Sequence, residues 1–173
     1  MKLAIVQIFL GLLLAGSLTA FSCTSPEEPS EDEGFAIYLP AREIPVSEMP
    51  IISDLEIADA PILAPVDIVS YYRNTHEIEL TAEGYERLLE LEVPISGKVF
   101  VVCVDRQPVY WGAFWPRYSS MTFDGVTILT PLSPDRHAIQ IGLGYPTESF
   151  YTGDDPRSNP EIMQALQQAG KLK

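Results

Sequence analysis

The pattern of apolar positions is densest in the middle of the chain. Every residue from Val99 to Val104 is apolar, and four of the six are valine. Such a β-branched run is typical of a strand that is covered on both faces. A polar turn at Asp105–Pro108 follows, and Val109–Trp115 then forms a second, aromatic-rich apolar run. Because a tight polar turn joins two apolar strands, we predict a β-hairpin over about residues 98–115 at the centre of a sheet.

Shorter segments with strand-like patterns flank this hairpin on both sides. Some alternate between polar and apolar residues, as half-buried strands do. The pattern at Val66–Tyr72 fits either a short strand or one to two helical turns. The other predicted strands are Phe35–Leu39, His76–Leu80, Gly125–Thr130 and Ala138–Gly142.

Two segments have the apolar spacing of amphipathic helices, over about residues 81–92 and 159–170. Thr81 is a suitable N-cap for the first helix, and Pro94 and Gly97 end it. The second helix begins with a proline in its first turn and ends at Gly170. Two helices beside a run of strands predict an α+β fold with a mainly antiparallel sheet.

The segment Ala41–Pro65 has prolines at 45, 50, 61 and 65, a spacing that excludes a helix of useful length. We expect extended chain that wraps the domain, with a short edge strand near Ile51 and Ile52. Two helices can cover only one face of the sheet. The other face must therefore rest on this Pro-rich segment or bind a partner.

The first residues have the pattern of a secretory signal peptide, with Lys2 before the apolar stretch Leu3–Gly16. Ala20-Phe-Ser-Cys23 resembles the lipobox of bacterial lipoproteins. That resemblance implies cleavage after residue 22 and a lipid on Cys23, which binds the protein to the outer side of a cell membrane. An ordinary signal peptide or an uncleaved membrane anchor are the alternatives. We predict a signal peptide over 1–22, an acidic Ser/Pro-rich tether over 23–34 and one domain over 35–173.

Charge and cysteine content narrow the classes of partner. The chain has 24 acidic and 11 basic side chains, so its formal net charge is −13. This balance argues against nucleic acid as a partner and against a basic membrane-binding face. With Cys23 lipidated, Cys103 has no cysteine left to pair with, and its place in the apolar run predicts a small core side chain.

Residues Glu79–Leu88 and Gly97–Asp105 form a pattern of strand, Leu-Thr-x-Glu-Gly helix start and Gly-Lys strand that ends in an aspartate turn. It is similar to the head subdomain in the first large periplasmic domain of SecD, a subunit of the protein-export machinery. The resemblance covers about residues 78–115. It implies a fold and a protein-contacting surface, and it implies no catalytic residues.

The sequence offers little support for catalysis or metal binding. His76 and His137 lie in separate segments without further ligands at zinc spacing, so both are expected to be surface residues at strand ends. Ser119 and Ser120 lie in no nucleophile motif. We therefore expect no cofactor and favour a non-catalytic envelope domain with an envelope or export protein as partner. A hydrolase, or a carbohydrate- or peptide-binding subunit with an unrecognised site, remains the alternative.

The aromatic strand supplies the candidate binding residues. Strand alternation predicts Val109, Trp111, Ala113 and Trp115 on one face, with Tyr110 and Phe114 on the other. Trp and Tyr are frequent anchors of protein interfaces. We predict that at least one large aromatic of this region is partly exposed and binds a partner. The candidates are Trp111 and Trp115, with Arg117 and Tyr118 at the rim.

Overall fold

The computed structural model describes residues 33–130, 132–133 and 135–173. The predicted signal peptide, Cys23 and all but the last two residues of the predicted tether lie outside these described residues. The described part folds into a seven-stranded sheet with two α-helices and several 3₁₀ turns.

The sheet has the strand order β1-β4-β5-β6-β7-β3-β2. Every neighbouring pair is antiparallel except β5 and β6, which run parallel. The predicted α+β class with a mainly antiparallel sheet is thus confirmed. Both predicted helices are present, each shorter at its ends than the sequence pattern indicates. The strands are β1 Phe35–Tyr38, β2 Ile68–Tyr72, β3 Glu77–Leu80, β4 Lys98–Val104, β5 Gln107–Pro116, β6 Phe123–Thr130 and β7 Ala138–Tyr145, and the helices are α1 Ala82–Leu89 and α2 Pro160–Gln168.

The predicted hairpin is formed by β4 and β5. Val104 pairs with Gln107, so the connection is the two-residue turn Asp105–Arg106. Both turn residues have positive φ, 49° and 63°, as the hairpin turn that matches the strand twist requires. The hairpin takes the second and third places in the sheet, and β6 is the middle strand.

The parallel pairing of β5 with β6 was not expected from the sequence. Parallel neighbours need a crossover, usually of about a dozen residues or more. Here the return uses only residues 117–122, which we call the crossover loop. The Arg117 N–H donates to the Thr130 carbonyl at 2.8 Å, and the Tyr145 hydroxyl donates to the Arg117 carbonyl at 2.6 Å. These bonds hold the loop against the end of the sheet.

One face of the sheet, the helix face, packs against α1 and α2. Tyr85 and Leu88 of α1 and Ile162 and Leu166 of α2 are buried there. Thr81 caps α1, because its side-chain oxygen accepts a hydrogen bond from the Gly84 N–H at 3.2 Å. The sheet residues buried on this face include Ile37, Tyr71, Ile78, Phe100, Val102, Tyr110, Phe114, Ile128 and Ile141.

The opposite face is covered over β1 and β4 by the Pro-rich segment, as expected. Ala36, Tyr38, Val101 and Cys103 form a buried cluster with Leu55, and other apolar side chains of the segment pack around it. We call this the Pro-rich face. Its second half, on β3 and β7, has polar residues such as Glu79 and Gln140, which are exposed.

The prediction of a short edge strand near Ile51 and Ile52 is wrong. Residues Ile52–Asp54 form a 3₁₀ turn, in which the Asp54 N–H donates to the Ile51 carbonyl at 2.9 Å. This local bond uses backbone groups that a strand would pair with a neighbour. For Val66–Tyr72 the sequence pattern fitted either a short strand or one to two helical turns. The structure has both in succession, since a 3₁₀ turn at Pro65–Asp67 leads directly into strand β2.

Candidate interaction surface

The four residues predicted to bind a partner lie in three different environments. Trp111 is half-buried and lines a cleft between β5 and β6. Trp115 is only 2% exposed. Arg117 and Tyr118 are exposed on the crossover loop, and Tyr118 is 70% exposed. The structure therefore does not assemble the four into one site.

Trp115 lies inside a cluster of four aromatic rings, formed by Trp111, Phe123, Trp115 and Tyr145. Its ring is parallel to Phe123 within 9°, with 4.9 Å between centroids, and lies 6.2 Å from the Tyr145 ring. On another side it meets Gly97, where an added Cβ would lie 2.5 Å from Trp115 Cε3. The prediction that Trp115 is a surface anchor is wrong, because the parallel return of the chain brings Phe123 over its ring.

The face assignment of β5 needs one further correction. Trp111, Ala113 and Trp115 lie on the Pro-rich face and Tyr110 and Phe114 on the helix face, as strand alternation predicts. Val109 instead packs against the helix-face cluster. The pairing of β4 with β5 shifts register between Val102 and Cys103, and such a bulge reverses the alternation beyond it.

Tyr118 belongs to a group of exposed apolar residues whose backbones are connected by hydrogen bonds of Ser119. Ser119 is buried. Its hydroxyl donates a hydrogen bond to the Ile95 carbonyl at 2.9 Å and accepts one from the Met121 N–H at 3.2 Å. These bonds bring the backbones of Ile95 and Met121 to the residue that follows Tyr118. Ile95 and Met121 are themselves about half exposed. We call Ile95, Tyr118 and Met121 the Tyr118 surface.

Ile95 and Met121 were missed by the sequence reasoning. Each lies in a turn-forming segment, and no local pattern indicates that Ser119 hydrogen-bonds to both of them, because Ile95 is distant from Ser119 in sequence. Arg117 points to a different place, since it lines a depression of about 230 Å³ together with Leu129 and Gln140 of the sheet.

Cys103 and His76 are buried titratable side chains that do not belong to these surfaces. Cys103 is the core residue predicted, and burial raises the pKa of its thiol to about 12. His76 was expected at the surface, but the structure buries it. Its Nδ1 atom lies 2.9 Å from the Tyr71 hydroxyl oxygen inside the fold. Burial, and to a smaller extent the nearby Arg157 guanidinium, lowers the pKa of His76.

Within the described ranges, no group of three or more His, Cys, Asp or Glu side chains is arranged to hold a metal ion. In the same part of the chain, none of the helices has the length and apolar character needed to cross a membrane.

Comparison with known proteins gives no relative. No family model matches the chain, and no curated protein and no solved structure matches it significantly. Functional conclusions therefore depend on the residues and geometry of the chain itself.

Proposed function

We propose that the protein is a lipid-anchored extracytoplasmic lipoprotein whose folded domain is a non-catalytic protein-interaction module of the cell envelope, and that the Tyr118 surface contacts its partner. The observation that supports this most directly is the 70% exposure of Tyr118 on a loop fixed by hydrogen bonds. A large aromatic side chain that is mostly exposed on an ordered loop is a suitable contact for another protein.

The rigidity of the crossover loop matters for binding. Ordering a mobile side chain or loop at an interface costs free energy, which a pre-ordered contact avoids. Tyr118 is flanked by Arg117 and Ser119, whose backbones are both hydrogen-bonded. The loop therefore presents the tyrosine with little further loss of backbone entropy. Tyrosine also combines a large apolar ring with a hydroxyl, a combination that is frequent at interface hot spots.

The proposed location depends on the N-terminal sequence. An apolar signal segment, Cys23 in a lipobox-like context and a polar acidic tether are the features of a protein held near a membrane by a lipid. A partner within reach of such a domain is an envelope or export protein. The resemblance of residues 78–115 to the SecD head makes an export component the specific form of this proposal.

Site-specific photocrosslinking in native membranes tests the assignment of the surface. A photoreactive residue is placed at position 118 or 121, and at position 66 or 89 as matched controls. Val66 and Leu89 are also exposed apolar residues but lie elsewhere on the domain. We expect one discrete adduct from positions 118 and 121 and a much weaker adduct from positions 66 and 89. Equal adducts from all four positions, or adducts from the controls alone, contradict the proposal.

A further inference from the structure

The sheet has a notch between β5 and β6. Their parallel pairing begins only at Gly112 and Val126, so the first residues of both strands are not paired with each other. A cleft of about 440 Å³ lies at this end, between the Pro-rich segment on one side and the 150–156 loop on the other. We call it the Trp111 cleft. It lies apart from the Tyr118 surface, and none of the residues of that surface lines it.

Aromatic and aliphatic side chains form most of the cleft wall. Trp111 and Tyr151, both half-buried, line it together with Ile52 and Pro156. Trp111 is held from behind by Phe123, whose ring centroid lies 6.1 Å away. Phe123 in turn lies over Gly125, where an added Cβ would come within 2.4 Å of the Phe123 ring. Contact with this packed Phe123 ring therefore restricts the positions that the Trp111 side chain can take.

Among the described residues that line the cleft, one carries a formal charge, and this charge is negative. It is carried by the carboxylate of Asp124, an exposed residue. Among the described residues, no lysine, arginine or histidine lies within ion-pair distance of Asp124. Its contacts are the Thr152 hydroxyl at 3.4 Å and, through its own backbone carbonyl, the Thr152 N–H at 3.2 Å. The whole chain has a formal net charge of −13, which attracts cations to the protein in general.

We propose that the Trp111 cleft binds an organic cation, an alkylammonium group with an apolar body. The faces of Trp and Tyr rings attract such cations through the ring quadrupole. The Asp124 carboxylate supplies the counter-charge, and the aliphatic wall contacts the alkyl part. Sugars need several convergent hydrogen-bonding side chains, whereas Asp124 and Thr152 are the polar side chains that the cleft offers beside the tyrosines. Charge complementarity therefore selects the cation.

The two tryptophans make the binding test internally controlled. The full chain, labelled with ¹⁵N at its tryptophan indoles, gives two indole signals in maltoside micelles, because it contains two tryptophans. Trp111→Phe assigns them. Choline and n-butylammonium are the probes, and 3,3-dimethylbutan-1-ol is the uncharged isostere of choline. We expect the cations to shift the Trp111 signal and to leave that of buried Trp115 in place.

Variants separate local recognition from the general charge of the protein. Asp124→Asn removes the charge that lines the cleft, and Asp54→Asn removes an exposed aspartate two residues after Ile52 that does not line it. Tyr151→Leu keeps an apolar wall without the aromatic ring. We expect Asp124→Asn and Tyr151→Leu each to weaken binding by about threefold or more, with Asp54→Asn close to wild type.

Each outcome of this experiment either supports or overturns the proposal of a cation site. A response to choline alone indicates a quaternary headgroup, and a response to n-butylammonium alone indicates a lysine-like side chain; both support the proposal. It is overturned if neither cation shifts Trp111 at about 50 mM. It is also overturned if the neutral isostere binds as well as choline, or if Asp54→Asn weakens binding as much as Asp124→Asn. Failure here leaves the proposal for the Tyr118 surface intact, since that surface is separate.

Discussion

Trp115 and Tyr118 are close in sequence but differ in environment because the chain turns between them. Trp115 pairs with Leu129 near the end of β5 and is covered by Phe123 and Tyr145. Tyr118 follows on the crossover loop and extends into solvent. An aromatic side chain therefore stabilises the fold at position 115 and is accessible to other molecules at position 118.

Replacing each of them by alanine separates these roles. Trp115→Ala removes a fully buried ring, and such truncations lower the free energy of unfolding by about 3–5 kcal/mol. Tyr118→Ala is expected to change it by no more than about 0.5 kcal/mol, as surface substitutions usually do. Urea unfolding of both variants measures the difference. Equal losses would show that Tyr118 is part of the core.

His76 provides a prediction on pH. Because burial lowers its pKa in the folded state, the unfolded chain, with an ordinary pKa of about 6.5, binds the proton more readily. The stabilisation by neutral His76 is therefore complete above about pH 6.5 and is lost as the pH falls through the lower, folded-state pKa. We expect the free energy of unfolding to decrease between pH 7 and pH 5.

The matched variants for this prediction are His76→Asn and His137→Asn. Asparagine tolerates the positive φ of 53° at position 76 and does not titrate there. Urea unfolding at both pH values is expected to show a smaller decrease for His76→Asn than for wild type. His137 is exposed, and its variant is the control. An unchanged pH dependence in His76→Asn would contradict the assignment.

At the scale of elements, Asp67 connects the end of the Pro-rich segment with α1. Its buried carboxylate accepts a hydrogen bond from the Ala64 N–H at 2.7 Å and forms an ion pair with Arg87 of α1. Its backbone carbonyl accepts from the Thr81 N–H at 2.8 Å, just before the helix begins. One residue, through its side chain and its backbone carbonyl, thus connects a 3₁₀ turn, a strand start and a helix.

Asp67→Ala leaves the Ala64 N–H without its partner and removes the ion pair. We expect the free energy of unfolding to fall by about 1–3 kcal/mol. Glu77→Ala removes the more exposed ion pair with Arg136 and is expected to cost no more than about 1 kcal/mol. Thermal and urea unfolding compare the two variants. A loss in Glu77→Ala as large as that in Asp67→Ala would refute the special role of Asp67.

The elements that were predicted well are those with local signals. The valine run, the polar turn at residue 105 and the Thr81 cap each specify structure within a few residues, and the hairpin and α1 follow from them. The parallel pairing of β5 with β6 depends on contacts between distant strands, which no local pattern encodes. Because that pairing buries Trp115 and opens the Trp111 cleft, the candidate sites could be predicted only in part.

At the scale of the whole molecule, the two faces of the sheet are covered by different means. Helices cover one face, while the Pro-rich segment covers part of the other and leaves a polar half beside β3 and β7. The apolar surface that remains exposed at Tyr118 lies on a connection between strands. The acidic net charge of the chain favours its solubility.

The proposed membrane attachment is tested through Cys23. In Cys23→Ala, we expect loss of the lipid, so that the protein either partitions into the aqueous phase or keeps its signal peptide. Detergent phase partitioning and intact mass of the full chain report these two results. Wild-type partitioning with an unchanged mass would contradict lipidation at this residue.

The claim that Tyr118 carries the binding function is tested most directly by quantitative capture of the partner identified by crosslinking. Wild type, Tyr118→Ala and Tyr72→Ala are compared in the same membranes, with melting temperatures measured in parallel. Tyr72 is the matched control, because it is a partly exposed tyrosine on strand β2 and not on the crossover loop. We predict that all three melt at nearly the same temperature and that capture is lost in Tyr118→Ala alone. Full capture by a folded Tyr118→Ala variant would contradict the account.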